Sequence, residues 1–443
     1  MEEIILEENI EKQLLSYQIP HLKNIIYNIR NIGIHLDGSD TGTGKTYCAI
    51  ALAKQFNMNV FCICPLTIIR SWIDVAKIYS VEIIGISNYE KIIKGKYFNE
   101  KGEIDDKFVK VSNKNFSWSL PKNTLIIFDE VHRCSGNNTF CNNLLMSLYY
   151  VFNPENPLLL LSATLTKNPE RFTSFGSLFK WYKRNTDRPN WIGNEKYNIR
   201  RAIELIEETV FPRFGSRIQI SELGDLFPKN TISAICYDID EKTEINEAYN
   251  DLKIILLELE KKKSKAVENC NGLDRILKAR QKIEILKIPI FIDLTRQYLE
   301  NNHSVIIFTN FTKTLEILSK KLGTKCLIYG EQTIETRYTN INNFMENKEK
   351  IIICNINAGS ESISLDDKYG ENPRVTLINP TWSATKLIQA FGRTCRSDSK
   401  SPSKNIIVYC AGTIEEKICN KLNKKISGKN EISIDNADLE VDL

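Results

Sequence analysis

No apolar run in this sequence is long enough to span a bilayer, so a membrane-spanning helix is not expected. The first residues, MEEIILEENIEKQLL, lack the basic start and apolar middle of a signal peptide. Charge of one sign is not in excess. The 59 Lys and Arg against 55 Asp and Glu leave +4, a balance that permits a nucleic-acid partner but offers no basic binding arm. The 12 cysteines contain no CxxC pair. Cys62 and Cys64 alternate in VFCICP and share one face of a buried strand. They read as small apolar core residues of a chain in a reducing compartment, rather than as disulfide partners or zinc ligands. The one loose His/Cys cluster, His132, Cys134 and Cys141, fits no standard zinc spacing. Short-period repeats and low-complexity tracts are also missing.

What the sequence does contain is two blocks of short apolar strands bounded by turn residues. The first holds IGIHLDG (32–38), NVFCICP (59–65), VEIIGIS (81–87), TLIIFDE (124–130) and PLLLLSAT (157–164). The second holds SVIIFTN (304–310), KCLIYGE (325–331), KIIICNIN (350–357), RVTLINP (374–380) and NIIVYCAG (405–412). Helical periodicity fills most of the gaps. Near-continuous apolar strands alternating with helices predict parallel sheets covered on both faces, hence two α/β domains. With 443 residues the chain has room for two or three domains. The expected division is 1–232, a charged helical linker or brace over 233–300, and 301–443. Residues 92–122 form a polar insertion before the fourth strand, read as a passive surface hairpin.

The stretch SDTGTGKT (39–46) lies between a strand and the helical run YCAIALAKQF, the context a phosphate-binding loop requires. Gly42 and Gly44 let the backbone turn so that successive N–H groups face one anion, and the next helix adds its positive end. The cradle comprises Ser39, Asp40, Thr41, Gly42, Thr43, Gly44, Lys45 and Thr46. Lys45 is suited to reach the β- and γ-phosphates, and Thr46 to ligate magnesium. Ser39 stands where glycine is usual. In LIIFDEVH, Asp129 and Glu130 sit at the carboxyl end of an apolar strand, where parallel-sheet sites form. Asp129 can hold Mg2+ through water, and Glu130 can orient and deprotonate the attacking water.

GTGKT, DEVH, SAT and QAFGRTCR, in that order, resemble the motif series of the superfamily 2 helicases and translocases, over nearly the whole chain. CPLTIIRSW (64–72), ISNYE (86–90) and GTIEEKI (412–418) are similar to the Swi/Snf-type branch and related helicases of large DNA viruses. The resemblance implies two RecA-like P-loop domains facing each other across a cleft, with ATP on the first. It implies Arg393 and Arg396 as arginine fingers, their three-residue spacing allowing one helical face to present both, and Gln389 as a nucleotide or water sensor. Gln18 is either an adenine reader or an ordinary surface glutamine. Nucleic acid would be held across both domains, and the candidates are Thr67, Ser87, Thr309, Asn310, Asn357, Ala358, Gly359 and Ser360. SAT (162–164) would couple the nucleotide site to that track. Gly330 and Arg337 match a structural motif of the second domain. Ser360 and Ser362 stand where relatives often have glycines, a departure that bears on coupling.

The expected activity is ATP hydrolysis coupled to movement on DNA, duplex in preference to single strands, by a monomeric intracellular protein whose specificity comes from partner proteins. Nucleus, cytoplasm, viral factory and virion all fit that compartment. The alternatives are an RNA helicase or transcription-termination factor, and a non-hydrolysing nucleic-acid-binding scaffold.

Overall fold

The computed structural model describes residues 4–135, 139–163, 172–181, 199–238, 240–261, 269–359, 363–380, 384–413, 415–416 and 419. The chain divides into two compact units, Met1–Leu226 and Phe227–Leu443. Among the described residues no helix is long and apolar enough to cross a membrane.

In the first unit the described strands are β1 (Ile34–Asp37), β2 (Asn59–Ile63), β3 (Ile83–Ser87), β4 (Tyr97–Phe98), β5 (Ile104–Asp105), β6 (Val109–Ser112), β7 (Asn115–Trp118), β8 (Thr124–Asp129), β9 (Leu158–Leu161) and β10 (Gly215–Ser216). The main sheet runs β10-β1-β9-β8-β2-β3-β4-β5. Its pairings are parallel from β10 to β3, and antiparallel where β4 and β5 extend the edge. Every residue of β1, β8 and β9 is buried, as a sheet covered on both faces requires. The two-residue period sorts side chains between two cores. Val60, Cys62 and Cys64 face one core, with Leu22, Ile25, Ala49, Leu52 and Trp72 from the helices Gln18–Ile32, Lys45–Gln55 and Ile69–Tyr79. Phe61 and Ile63 face the other, with Leu145, Phe175 and Val210.

Part of the insertion is a hairpin, β6 against β7, whose turn places Asn113 and Lys114 at φ 49° and 66°. It is anchored inward. Val109 and Phe116 enter the core, Trp118 and Tyr97 pack edge-on against Phe61, and the Trp118 indole donates to Ser147 Oγ at 2.7 Å.

The second unit contains β11 (Asn230–Tyr237), β12 (Ser304–Thr309), β13 (Leu327–Ile328), β14 (Ile351–Asn355), β15 (Arg374–Ile378) and β16 (Ser403–Cys410). They pair in the order β11-β16-β15-β12-β14-β13, all parallel. The division differs from the one expected at 232/233, which would cut through β11. This edge strand pairs with β16 along its whole length, from Asn230↔Ser403 to Tyr237↔Cys410. It is only partly buried, so it lacks the apolar run that marks the central strands. The helices within 233–300 pack against the sheet of this unit. Ile245, Ala248, Leu252 and Ile283 join the core beneath Ile306, Phe308 and Ile407.

A buried ion pair ties that helical segment to the end of the sheet. Lys287 Nζ donates to both oxygens of Glu415, at 3.1 and 2.9 Å, and to Val408 O at 2.7 Å. Glu415 also accepts from the Tyr249 hydroxyl and the Cys410 N–H, both at 2.9 Å. Removing one partner of such a pair strands the other charge. Lys287→Met is expected to cost about 3–5 kcal/mol of stability. Adding Glu415→Leu should restore much of it, as measured by the denaturation midpoints of the single and double variants.

Candidate nucleotide site

Asp37 closes β1, and the chain then turns through residues 38–44 into the helix Lys45–Gln55. Gly42 and Gly44 have φ of 90° and 95°, the left-handed region that a side chain would strain. At Gly44 space matters as well. A Cβ there would lie 2.1 Å from the Gln18 Nε2 atom. Gln18 is therefore not a surface residue. It is 3% exposed, its Nε2 donates to Thr43 O at 2.8 Å, and its Oε1 accepts from the Leu15 N–H at 2.9 Å. In this structure the amide braces the loop, a role that sequence reasoning missed.

Lys45 folds back over its own loop, donating to Ser39 O at 2.7 Å and Asp40 O at 3.1 Å. Thr43 Oγ1 donates to Asp40 O at 2.9 Å, and the Ser39 N–H donates to Asp37 Oδ1 at 2.9 Å. Asp40, Thr41, Gly42, Gly44, Lys45 and Thr46 are half-buried, while Ser39 and Thr43 are buried. The eight cradle residues thus form one loop, six of them half-buried and two buried.

Asp129, at the end of β8, is buried. Its Oδ2 accepts from Trp72 Nε1 at 3.1 Å and its Oδ1 from the Glu130 N–H at 2.9 Å. Burial and the adjoining Glu130 charge push its carboxyl up to about 6, while Lys45 and the two donors act against them. Trp72 comes from the CPLTIIRSW stretch, and its bond to Asp129 could have been suspected only from the order of the motifs. Tyr89 of ISNYE donates to Asp129 O at 2.7 Å. Glu130 takes φ 55° and ψ 47°, sparsely used by non-glycine residues and more frequent at functional sites. Its Oε2 lies 3.2 Å from His132 Nδ1, which is 3.1 Å from Ser162 Oγ. DEVH and the start of SAT are in this way physically joined. Thr164 lies outside the described residues. As hard oxygen donors, the Thr46 hydroxyl and the buried Asp129 carboxylate suit a magnesium ion.

In the second unit the helix Ala384–Phe391 carries a half-buried Gln389 and stops before the arginines. The expectation that one helical face presents Arg393 and Arg396 is therefore corrected. Gly392–Thr394 form a turn, closed by the Arg393 N–H on Ala390 O at 3.1 Å and the Thr394 hydroxyl on Phe391 O at 3.0 Å. Arg393 is 3% exposed. Arg396 is half-buried and donates through Nη2 to Ile363 O at 3.0 Å. Arg337 Nη2 donates to Tyr329 O at 2.8 Å, bracing the segment that contains Gly330.

The nucleic-acid candidates are unevenly placed. Thr67 is half-buried in the turn Leu66–Ile68. Ser87 is buried, and its hydroxyl donates to Lys96 O at 2.9 Å. Thr309 is buried as well. Asn310 commits its N–H and its side-chain amide to the Glu284 carboxylate at 2.9 and 2.7 Å. Ser87 and Thr309 are closed off from solvent, and Asn310 commits its backbone N–H and one of its two amide hydrogens to Glu284. Asn357, Ala358 and Gly359 lie on the short helix Ile356–Gly359. Ser360 and Ser362 fall outside the described residues.

Two family models match the chain. The Type III restriction enzyme res subunit model covers residues 11–167, and the Helicase conserved C-terminal domain model covers residues 286–398. A protein of Acanthamoeba polyphaga mimivirus that carries the name "Putative ATP-dependent RNA helicase" is 37% identical, over 98% of this chain and 86% of its own length. The DNA repair and recombination protein RAD54 of Saccharomyces cerevisiae is 29% identical over 29% of this chain and 14% of its own. A solved Sulfolobus solfataricus SWI2/SNF2 ATPase core in complex with double-stranded DNA aligns over 96% of this chain and 93% of that one, at 18% identity and TM-score 0.40.

Trp72→Phe keeps an aromatic ring in the core but deletes the donor on Asp129 Oδ2. An expected loss of about 1–3 kcal/mol follows from leaving a buried acceptor short of a partner. A thermal unfolding curve compared with wild type checks it.

Proposed function

Given that the chain belongs to the superfamily 2 helicases and translocases, we propose that it is of the Swi/Snf-like kind and couples ATP hydrolysis to movement along DNA, duplex in preference to single strands. It is a nucleic-acid-dependent ATPase. The finer reading rests on one observation above the others. A phosphate loop and a buried Asp129 are held on the same parallel sheet, and Asp129 is fixed by Trp72 from the Pro-to-Trp stretch that the Swi/Snf-type branch shares.

The residues divide the work as follows. N–H groups of the loop around Gly42 and Gly44 receive the phosphate oxygens. The Lys45 ammonium, now on Ser39 O and Asp40 O, exchanges those carbonyls for the β- and γ-phosphate oxygens. Thr46 and Asp129 would hold magnesium, which would neutralise charge gathering on the phosphates. Glu130 orients the attacking water and accepts its proton, and His132 relays the state of Glu130 to Ser162. Gln389, Arg393 and Arg396 are assigned to the nucleotide by their match to the motif series. Binding energy spent on one arrangement of the loop and released on hydrolysis is the general basis of such a cycle.

RNA is the second reading. The relative from mimivirus, similar over nearly the whole chain, is named for RNA. ATPase assays with duplex DNA, single-stranded DNA and RNA separate the two. Stimulation by duplex DNA is expected, and stimulation by RNA alone would replace DNA with RNA as the substrate. Equal rates with all three and with none would sink both. Lys45→Ala is expected to abolish turnover under every condition, since loss of a charge acting on the transferred phosphoryl group costs on the order of 10³-fold or more in rate.

A further inference from the structure

The segment Phe214–Ile220 follows β1 and then continues beside the phosphate loop. Leu36, Gly38 and Asp40 donate their N–H groups to Phe214 O, Ser216 O and Ile218 O at 3.0, 2.9 and 3.0 Å. In the other direction, two side chains serve where the loop carbonyls are taken. Ser39 Oγ accepts from the Ile218 N–H at 2.9 Å, and Asp40 Oδ2 from the Ile220 N–H at 2.8 Å. The Ser39 and Asp40 carbonyls are the ones occupied by Lys45 Nζ. A glycine at position 39 would have no hydroxyl to offer.

Under this clasp lies a buried polar chain. Asn28 Nδ2 is 3.0 Å from His35 Nδ1, and His35 Nε2 is 3.0 Å from Ser216 Oγ. Ser216 Oγ is 3.2 Å from His21 Nδ1. His21 Nε2 faces both Asp37 Oδ2 at 3.1 Å and Ser39 Oγ at 3.3 Å. Burial, and His21 nearby, push His35 down to about 3, with Asp37 opposing. His35 therefore accepts from Asn28 at Nδ1 and donates from Nε2 to Ser216. Burial would raise the Asp37 carboxyl, but His21, Lys45 and Ser39 together hold it well below the usual carboxylate range. Most polar groups here have a buried hydrogen-bond partner, and Asp37 Oδ2, which accepts none, faces the His21 ring at 3.1 Å; such a network stiffens the underside of the loop.

We infer that Ser39 and Asp40 are positioning residues that make the segment Phe214–Ile220 respond to the phosphate loop, so that nucleotide occupancy is registered in the backbone just ahead of the Leu226/Phe227 division. The inference rests on the nucleotide site proposed above. Its physical basis is competition. A phosphate anion draws the Lys45 ammonium away from the carbonyls of the two residues whose side chains hold Ile218 and Ile220. A ligand that prefers one loop geometry then shifts the clasp with it.

Hydrogen exchange on the full chain tests this, with a non-hydrolysable ATP analogue and magnesium, and with a fluorescent nucleotide to report binding separately. In wild type, exchange at the Ile218 and Ile220 amides is expected to slow by about tenfold when the analogue binds, within the span of local opening equilibria. Asp40→Ala should lose the response at Ile220. Asp40→Asn, which still offers an oxygen, should keep it. A purely structural brace would instead lower the melting temperature and leave the response intact. Ile220→Pro removes the donor from the other side. Gln219 is already extended at φ −99° and ψ 123°, and proline suits the first turn of a helix, so this variant should fold and lose the response at Ile218. Bound analogue with unchanged exchange at Ile218 and Ile220, or equal behaviour of Asp40→Ala and Asp40→Asn, overturns the inference. Absence of nucleotide binding in wild type overturns the nucleotide site and this inference together.

Discussion

A loop that turns its N–H groups toward an anion cannot use them to hold its own shape, so the shape must be fixed from outside. That constraint governs the first unit. Gly42 and Gly44 give the turn. The hold comes from Gln18 on Thr43 O, from Lys45 on Ser39 O and Asp40 O, and from the strand-like segment after β10. Asp37 and His21 sit beneath. The buried Asp37 carboxylate so close to the loop is offset by the Ser39 N–H on Oδ1 and by the His21 ring beside Oδ2.

The parallel sheet explains why residues far apart in the chain reach the same place. Strands that all run one way bring their carboxyl ends to one edge. β1 delivers Asp37, β3 delivers Ser87, β8 delivers Asp129 and β9 leads to Ser162. Trp72, Tyr89 and His132 then stitch the neighbouring ends together. The functional gain is rigidity. The Asp129 carboxylate and the neighbouring Glu130 are held by these contacts at the end of the sheet beside the loop.

The second unit solves a different problem. Its sheet takes an additional edge strand, β11, from a segment whose sequence does not look like a strand, and it holds the following helices with the Lys287–Glu415 pair. Glu284, from the same helical region, receives the N–H groups of Asn310 and Phe311 at the end of β12. Asn310, a candidate for a phosphate backbone, thus also helps to shape the unit.

The apolar strand blocks determined the α/β class and the two sheets, because burial on both faces forces near-continuous runs that local inspection can read. The spacing of SDTGTGKT and the DE pair determined the phosphate loop and its acidic partner, because glycine and lysine at those positions answer a local demand of the backbone. Other features depended on the three-dimensional arrangement: the bond of Trp72 to Asp129, the enclosure of Gln18, Ser87 and Arg393, the end of the helix before Arg393, and the clasp of Ile218 and Ile220 on Ser39 and Asp40. Each of these depends on which distant chain segment fills the neighbouring space, and a one-dimensional pattern has no term for that.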